Sequence, residues 1–193
     1  MAAAAGLPSP VAGVDEVGRG PLAGPLVAAA VILDPARVPK GLADSKALSP
    51  ARRDHLAAEI RQVALVGTAV IDAAEIDALG LGPANHAAML RALDALPRSP
   101  AAVLADGRAL PRGCALPGRA IVGGDATCAA IAAASIVAKV MRDEIMQTLD
   151  LVHPGYGWAA NKGYATAAHR DALARLGVTP QHRRCFAPVA ALC

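Results

Sequence analysis

Val11-Ala-Gly-Val-Asp-Glu-Val17 and Pro25-Leu-Val-Ala-Ala-Ala-Val-Ile-Leu33 are two apolar segments separated by Gly18-Arg-Gly-Pro-Leu-Ala-Gly24. Short apolar runs bounded by glycine and proline are typical of buried strands joined by a turn. We therefore predict two buried strands with a tight connection between them. Two acidic residues, Asp15 and Glu16, interrupt the first strand at positions where an unpaired carboxylate is energetically unfavourable.

Strand and helix patterns alternate in the rest of the chain. A serine cap followed by proline predicts a helix from Ser49 to about Gln62, and the spacing of Asp72 and Glu75 predicts the start of a short helix ending at Gly80. The other predicted elements are strands at 63–71, 101–105 and 119–122 and helices at 83–96, 127–149 and 166–176. This order predicts a mixed α/β sheet with a small helical C-terminal appendage over about 151–193.

The composition indicates a folded chain built from small residues. The 193 residues fit one domain over 1–193, and 54% are hydrophobic although only 2% are aromatic. This hydrophobicity excludes a disordered chain. Charge-free runs such as Gly20–Leu33 and Ala126–Ala138 are shorter than the ~20 apolar residues of a membrane helix.

Charge and cysteine content favour a cytoplasmic protein that meets a polyanion. Lysine and arginine outnumber aspartate and glutamate by 19 to 16, and the excess lies after Leu151. This basic segment is suited to phosphate contacts, and charge alone leaves a solvated basic tail equally open. The four cysteines form no C-x-x-C pair, and the N-terminus lacks the charged and apolar regions of a signal peptide, so we expect a reduced cytoplasmic location.

Four carboxylates carry the functional prediction. Asp15 and Glu16 lie in the first strand, Asp106 follows Val103-Leu104-Ala105, and Asp125 follows the strand at 119–122. Buried carboxylates are tolerated when they pair with cations or bind metal, and oxygen ligands favour Mg²⁺ or Mn²⁺ over zinc. The alternative is that they are separate helix caps or loop acids, and Asp125 is suited to capping the helix predicted from Thr127.

The adjacent acids Asp15 and Glu16 present a geometric difficulty. Successive residues of a strand point to opposite faces, so a regular strand does not aim both side chains at one metal ion. We predict that the strand is bulged or ends at this point, or that Glu16 contributes through its backbone carbonyl.

The segment Gly13–Leu33 resembles the N-terminal signature of bacterial ribonuclease HII, a type 2 ribonuclease H. Further matches follow in order over nearly the whole chain, at Asp44-Ser-Lys46, Asp106-Gly107, Gly124-Asp125, Ala132–Asp143, Tyr156-Gly157, Lys162-Gly-Tyr164 and His182–Pro188. The resemblance implies an RNase H-like fold, in which helices flank a five-stranded mixed sheet and the C-terminal helices help to hold substrate.

The resemblance also implies an endoribonuclease that hydrolyses the RNA strand of RNA–DNA hybrids. It implies cutting 5′ of single ribonucleotides embedded in duplex DNA, with Mg²⁺ or Mn²⁺ in a two-metal site and with 5′-phosphate and 3′-hydroxyl ends. Asp15, Glu16, Asp106 and Asp125 would be the metal-binding catalytic residues. The substrate-binding residues would be Gly18, Arg19, Gly20 and Tyr164 at the ribonucleotide, Lys46 near the scissile phosphate, and Lys162 on a backbone phosphate.

Two other functions stay open at this stage. One is a different RNase H-like nuclease, such as a resolvase or transposase core. The other is a catalytically silent hybrid-binding module, although an acidic cluster would repel the phosphates that such a module binds. No obligate protein partner is evident, and we expect a monomer.

The chain departs from the usual family pattern at Gly123, Asn161, Ala165 and Cys185, where lysine, histidine, proline and serine are usual. The glycine removes a positive charge beside Asp125, which bears on substrate affinity rather than on the chemistry.

Overall fold

The computed structural model describes residues 4–193. The first three residues, which belong to the N-terminus examined for a signal peptide, lie outside this range. Five strands form one mixed sheet in the order β3-β2-β1-β4-β5. The three strands β1 to β3 are antiparallel neighbours, whereas β4 and β5 run parallel to β1. The strands are β1 Val11–Val17, β2 Leu26–Ile32, β3 Leu65–Ile71, β4 Ala102–Asp106 and β5 Gly118–Ile121.

Helices cover both faces of this sheet. The helices are α1 Pro50–Val63, α2 Ala73–Leu79, α3 Leu81–Asp94, α4 Gly124–Thr127, α5 Ala129–Val152, α6 Trp158–Asn161, α7 Ala167–Leu176 and α8 Ala187–Ala190. Helices α2 and α3 pack on one face, α1 and α5 pack on the other, and α6 to α8 belong to the C-terminal part. No helix within residues 4–193 is both long and apolar enough to cross a membrane. The predicted mixed five-stranded architecture is confirmed.

Local capping explains where two of the helices begin. The Ser49 side chain accepts a hydrogen bond from the Arg52 N–H, and Pro50 occupies the first turn of α1. The Asp72 side chain accepts from the Glu75 N–H at 2.8 Å. Both starts agree with the sequence prediction.

The region around Asp125 differs from the prediction of one continuous helix from Thr127 to Leu149. A separate turn, α4, ends at Thr127, and Cys128 adopts an extended conformation before α5 begins. Asp125 lies inside α4 and neither helix start has a side-chain cap, so the structure excludes the capping role considered for this residue.

Close packing of small residues explains the alanine-rich, aromatic-poor composition. A Cβ atom on Gly13 of β1 would lie 2.2 Å from the Ala130 carbonyl carbon in α5. Glycine at this position therefore lets the long helix approach the central strand. Helix α5 then buries a run of alanines, including Ala132, Ala133 and Ala134, against the sheet.

Candidate active site

The sheet topology brings the predicted acids to one edge. Val14 of β1 lies opposite Ala105 of the parallel strand β4, so the next residues, Asp15 and Asp106, are neighbours at the carboxyl ends of their strands. Strand β5 ends opposite Asp106 and leads into α4, which carries Asp125. Ligand sites in open sheets commonly lie at this end of the strands.

One cavity of about 400 Å³ connects the acids with two predicted substrate residues. Its lining includes Asp15, Glu16, Asp106, Asp125, Lys46 and Tyr164. A larger cavity of about 700 Å³ lies elsewhere on the molecule, but this one holds the clustered titratable groups that mark a functional site.

Asp15 is the most strongly perturbed acid of the cluster. Its side chain is buried, and burial together with the charges of Glu16 and Asp106 raises its pKa to about 8. The Glu16 N–H donates to Asp15 Oδ1 at 2.8 Å, which offsets part of this rise. A carboxylate held in this state gains stability when a cation joins it.

Glu16 follows the regular alternation of the strand. Strand β1 pairs with β2 without interruption to Val17, so the expected bulge or strand end at the acids is absent. Glu16 borders the main cavity and also a second cavity of about 190 Å³ beside α3. Burial raises its pKa, which the Arg19 guanidinium, 3.4 Å from Oε1, partly counteracts.

The remaining acids have different partners. Asp106 Oδ1 accepts a hydrogen bond from the Gly124 N–H at 2.8 Å, which ties β4 to the start of α4. Asp125 Oδ2 lies 3.5 Å from Lys46 Nζ. Burial opposes the charge on Lys46, but Asp44, Asp125 and then Asp15 outweigh it and raise the pKa of this amine. Because the Lys46 side chain is 78% exposed, its amine also faces solvent at the cavity.

The carboxylates fit a hard divalent cation in chemistry and in charge. Their donor set is oxygen only, and their mutual repulsion is the kind that a bound cation relieves. Within the described residues, no three His, Cys, Asp or Glu side chains stand close enough together to hold a metal ion.

Tyr164 lines this cavity, and the Gly18–Gly24 loop lies next to the Tyr164 ring. A Cβ atom on Gly20 would lie 3.6 Å from Tyr164 Cε1, so the two predicted ribonucleotide contacts are neighbours. Tyr164 is 46% exposed, and its carbonyl accepts a hydrogen bond from His169 Nδ1 at 2.9 Å. The Arg19 side chain turns toward Glu16.

Lys162 has a left-handed backbone conformation with φ of 52° and lies among other cations. Burial lowers the pKa of its amine; Asp143 opposes this, and the positive charges of Lys139, Arg142 and Arg53 add to the lowering. A phosphate would relieve this repulsion, which is consistent with the predicted contact.

Sequence reasoning missed Arg142 and left a phosphate contact or a structural role open for both Arg183 and Arg184. Arg183 is fully buried and donates to loop carbonyls, so it is no surface phosphate contact. Arg142 is equally buried, and its only sequence signal was its place in the matching segment Ala132–Asp143. Arg184 uses its backbone N–H to bond Asp77.

Comparison with known proteins identifies the family. A family model described as ribonuclease HII matches residues 12–189. The chain is 58% identical to the ribonuclease HII of Rhizorhabdus wittichii, over 95% of this chain and 90% of the relative. It is 59% identical to that of Paracoccus denitrificans, over 93% and 85%.

A solved structure agrees with this assignment. The ribonuclease H2 from Pyrococcus horikoshii superposes with a TM-score of 0.82 at 25% identity, covering 94% of this chain and 96% of the other. The Mn²⁺ complex of Bst-RNase HIII, at 24% identity and a TM-score of 0.76, covers 97% of this chain and 70% of its own, and shares the fold. The chain therefore belongs to the ribonuclease HII family and is an endoribonuclease that hydrolyses RNA in RNA–DNA hybrids.

Proposed function

We propose that this endoribonuclease also incises duplex DNA on the 5′ side of a single embedded ribonucleotide. The cut leaves a 5′-phosphate on the ribonucleotide and a 3′-hydroxyl upstream. The observation that carries the proposal is one cavity that is lined both by the acidic cluster and by Tyr164, whose ring lies next to Gly20.

Asp15, Glu16, Asp106 and Asp125 would hold two divalent cations, Mg²⁺ or Mn²⁺. When bound, such cations supply a nucleophilic water and stabilise charge on the departing oxygen. Lys46, which lies near Asp125 and is open to solvent, would meet the scissile phosphate. Lys162 adds a second cation for the backbone beyond it.

Ribose is distinguished from deoxyribose by its 2′-hydroxyl, which both donates and accepts hydrogen bonds. Arg183 already occupies the Gly18 carbonyl, so the remaining main-chain groups of Gly18 and Gly20 would read the hydroxyl. The exposed ring of Tyr164 would stack on the following deoxyribose and favour an RNA-to-DNA step.

The test is incubation of the protein with duplex DNA carrying one ribonucleotide, in Mg²⁺, in Mn²⁺ and in EDTA, followed by mapping of the cut. We expect one incision 5′ of the ribonucleotide in either metal and none in EDTA. Binding without cleavage would indicate a silent hybrid-binding module, and cleavage of an all-DNA four-way junction would indicate a resolvase-like enzyme. An intact ribonucleotide duplex beside a cleaved long hybrid would overturn the proposal.

A monomer and a cytoplasmic location stay predictions of the sequence. Size-exclusion chromatography with light scattering would measure the oligomeric state.

A further inference from the structure

We infer that Arg142 and Arg183 are positioning residues, which hold the Gly18–Gly24 loop and the Lys162–Tyr164 segment in one fixed arrangement for reading a ribonucleotide. Both side chains are completely buried. Within residues 4–193, neither guanidinium has a carboxylate within 4 Å, so both spend their donors on backbone carbonyls. This inference rests on the proposed reading of one ribonucleotide by the loop.

Arg183 holds both ends of the loop. Its Nε and Nη2 donate to the Gly24 carbonyl at 3.0 and 2.8 Å. Its Nη1 donates to the Arg19 carbonyl at 3.0 Å, and Nη2 also reaches the Gly18 carbonyl at 2.6 Å. A planar guanidinium with several donors can join three carbonyls in this way, whereas a lysine amine acts as a single point charge.

Arg142 connects the loop to the segment that carries Tyr164. Its Nε donates to the Pro25 carbonyl at 2.9 Å and Nη2 to the Ala23 carbonyl at 3.3 Å. Its Nη1 donates to the Lys162 carbonyl at 3.0 Å. One side chain from α5 therefore fixes the distance between the loop and the residue two positions before Tyr164.

Backbone hydrogen bonds complete the same unit. The Gly163 carbonyl accepts from the N–H groups of Leu22 and Ala23, and the Arg183 N–H donates to the Leu22 carbonyl at 2.8 Å. A Cβ atom on Gly163 would lie 2.3 Å from the Ala23 carbonyl oxygen, so these segments are in direct contact. These contacts couple the Gly18–Gly24 loop to the Lys162–Tyr164 segment, so the two segments move together.

The electrostatic cost supports a functional reason for the pair. Burial and the neighbouring charge of Arg142 lower the pKa of Arg183 to about 10. Holding a loop with two buried guanidinium groups and no carboxylate is energetically unfavourable, since neutral donors would lose less hydration energy on burial. Departures of this kind from stable design concentrate at functional sites.

The test compares Arg183→Lys and Arg142→Lys with the wild-type chain. Both variants keep the charge and remove the planar set of donors. In one assay with Mg²⁺ we would measure kcat/KM on a duplex with a single ribonucleotide, and Ki for an all-deoxyribose duplex of the same sequence as a competitor. Arg175→Lys, on the exposed surface of α7, is the matched control. Leu93→Ala, at a buried position of α3, controls for lost stability.

We expect Arg183→Lys and Arg142→Lys each to lose on the order of 100-fold in kcat/KM on the ribonucleotide duplex, because a displacement of about 1 Å in a positioned group has effects of this size. Ki for the DNA duplex should change by less than about twofold, since surface phosphate contacts remain. Leu93→Ala should lower the melting temperature and leave both constants near wild type. If Arg183→Lys does not fold, Arg142→Lys provides the same comparison.

Two results would overturn the inference while leaving the proposed function intact. In the first, Arg183→Lys and Arg142→Lys both retain kcat/KM at the level of Arg175→Lys. In the second, Ki rises by the same factor by which kcat/KM falls, which indicates general loss of binding. Failure of the wild-type chain to cut the ribonucleotide duplex would instead refute the proposed function itself.

Discussion

Asp106 combines a structural hydrogen bond with a predicted catalytic charge, and one substitution separates the two. Asp106→Asn keeps the oxygen that accepts from the Gly124 N–H, so the fold should persist. Loss of the negative charge at the predicted metal site should lower cleavage by about 100-fold or more, as for other preorganised groups that stabilise charge. Hybrid cleavage beside a thermal melting curve checks both statements. A folded, fully active variant would remove Asp106 from the catalytic set.

Asp125→Asn is the companion substitution at the residue scale. A helix cap would have made it a mild change, because asparagine caps about as well as aspartate. Asp125 makes no capping hydrogen bond in the structure, so we expect a loss of activity as large as that of Asp106→Asn. Retention of most activity by this variant in the same assay would count against its role.

Asp15 makes the metal-free protein sensitive to pH. Its folded pKa of about 8 lies above the ordinary aspartate value of 3.8, so the folded state holds the proton more tightly than the unfolded state. The free energy of unfolding should therefore fall as pH rises between these two values, by at most about 1.4 kcal/mol per pH unit.

Denaturant unfolding in EDTA at pH 5 and pH 8 measures this dependence. Asp15→Asn should be more stable than wild type at pH 8, and the difference should shrink toward pH 4. Equal stability of the two proteins at pH 8 would show that the Asp15 carboxyl group does not destabilise the folded state at this pH.

Single residues also show what sequence reasoning can and cannot reach. The four acids stood out because each interrupts or ends an apolar strand, a cost that is visible without any coordinates. Arg142 and Arg183 did not stand out as buried, because an arginine in a helix or a basic tail normally lies in solvent. Their burial depends on carbonyls from the distant loop, which only the folded chain brings near.

At the scale of elements, strong local signals gave correct predictions and tertiary contacts changed the others. Strand β1 and the starts of α1 and α2 follow from apolar runs and caps. The break between α4 and α5 has no such signal, because Thr127, Cys128 and Ala129 include no glycine or proline. The extended residue at this break leaves Asp125 on a turn of its own beside β4.

The segment joining α6 to α7 carries the predicted phosphate contact at Lys162. Lys162→Asn removes the charge, and asparagine tolerates the left-handed conformation of this residue. The slope of log Kd for a hybrid against log salt should flatten by about one unit. Binding titrations across a salt series measure the slope, with Arg175→Gln on α7 as the control. A slope equal to that of wild type would show that Lys162 touches no phosphate.

At the scale of the whole molecule, an aromatic and histidine cluster anchors the C-terminal part. Tyr156 stacks on Trp158 with ring centroids 5.0 Å apart. Trp158 Nε1 donates to His169 Nε2 at 2.9 Å, and His182 Nδ1 accepts from the Thr179 N–H at 3.0 Å. His169 Nδ1 then donates to the Tyr164 carbonyl, and His182 Nε2 lies 3.3 Å from His169 Nε2. Because His169 Nε2 and His182 Nδ1 both act as acceptors, this set of bonds requires both imidazoles to be neutral.

The general architecture of this part was predictable, but its internal chemistry was not. A basic, glycine-broken sequence indicated a helical appendage, which the structure contains. The pairing of His169 with His182 joins two segments that the sequence gives no reason to connect. Titratable histidines therefore hold the backbone at Tyr164 in place.

As the pH falls, the contacts of this aromatic and histidine cluster should be lost before the sheet unfolds. Burial lowers the pKa of His169, and burial with the charges of His169 and His153 lowers that of His182 to about 4. The unfolded state then binds more protons than the folded state, so stability should be lost as pH falls from about 6.5 toward 4. Because Asp15 has the opposite slope in this range, the measurement uses Asp15→Asn in EDTA.

The fluorescence of Trp158, the single tryptophan of the chain, reports the anchor directly, since its indole N–H bonds His169. We expect the emission to change with a midpoint below pH 6.5, before the far-ultraviolet circular dichroism changes. His182→Gln should move this midpoint, whereas His55→Gln, on the exposed face of α1, should not. A fluorescence transition that coincides with global unfolding in every variant would show that the cluster has no separate acid response.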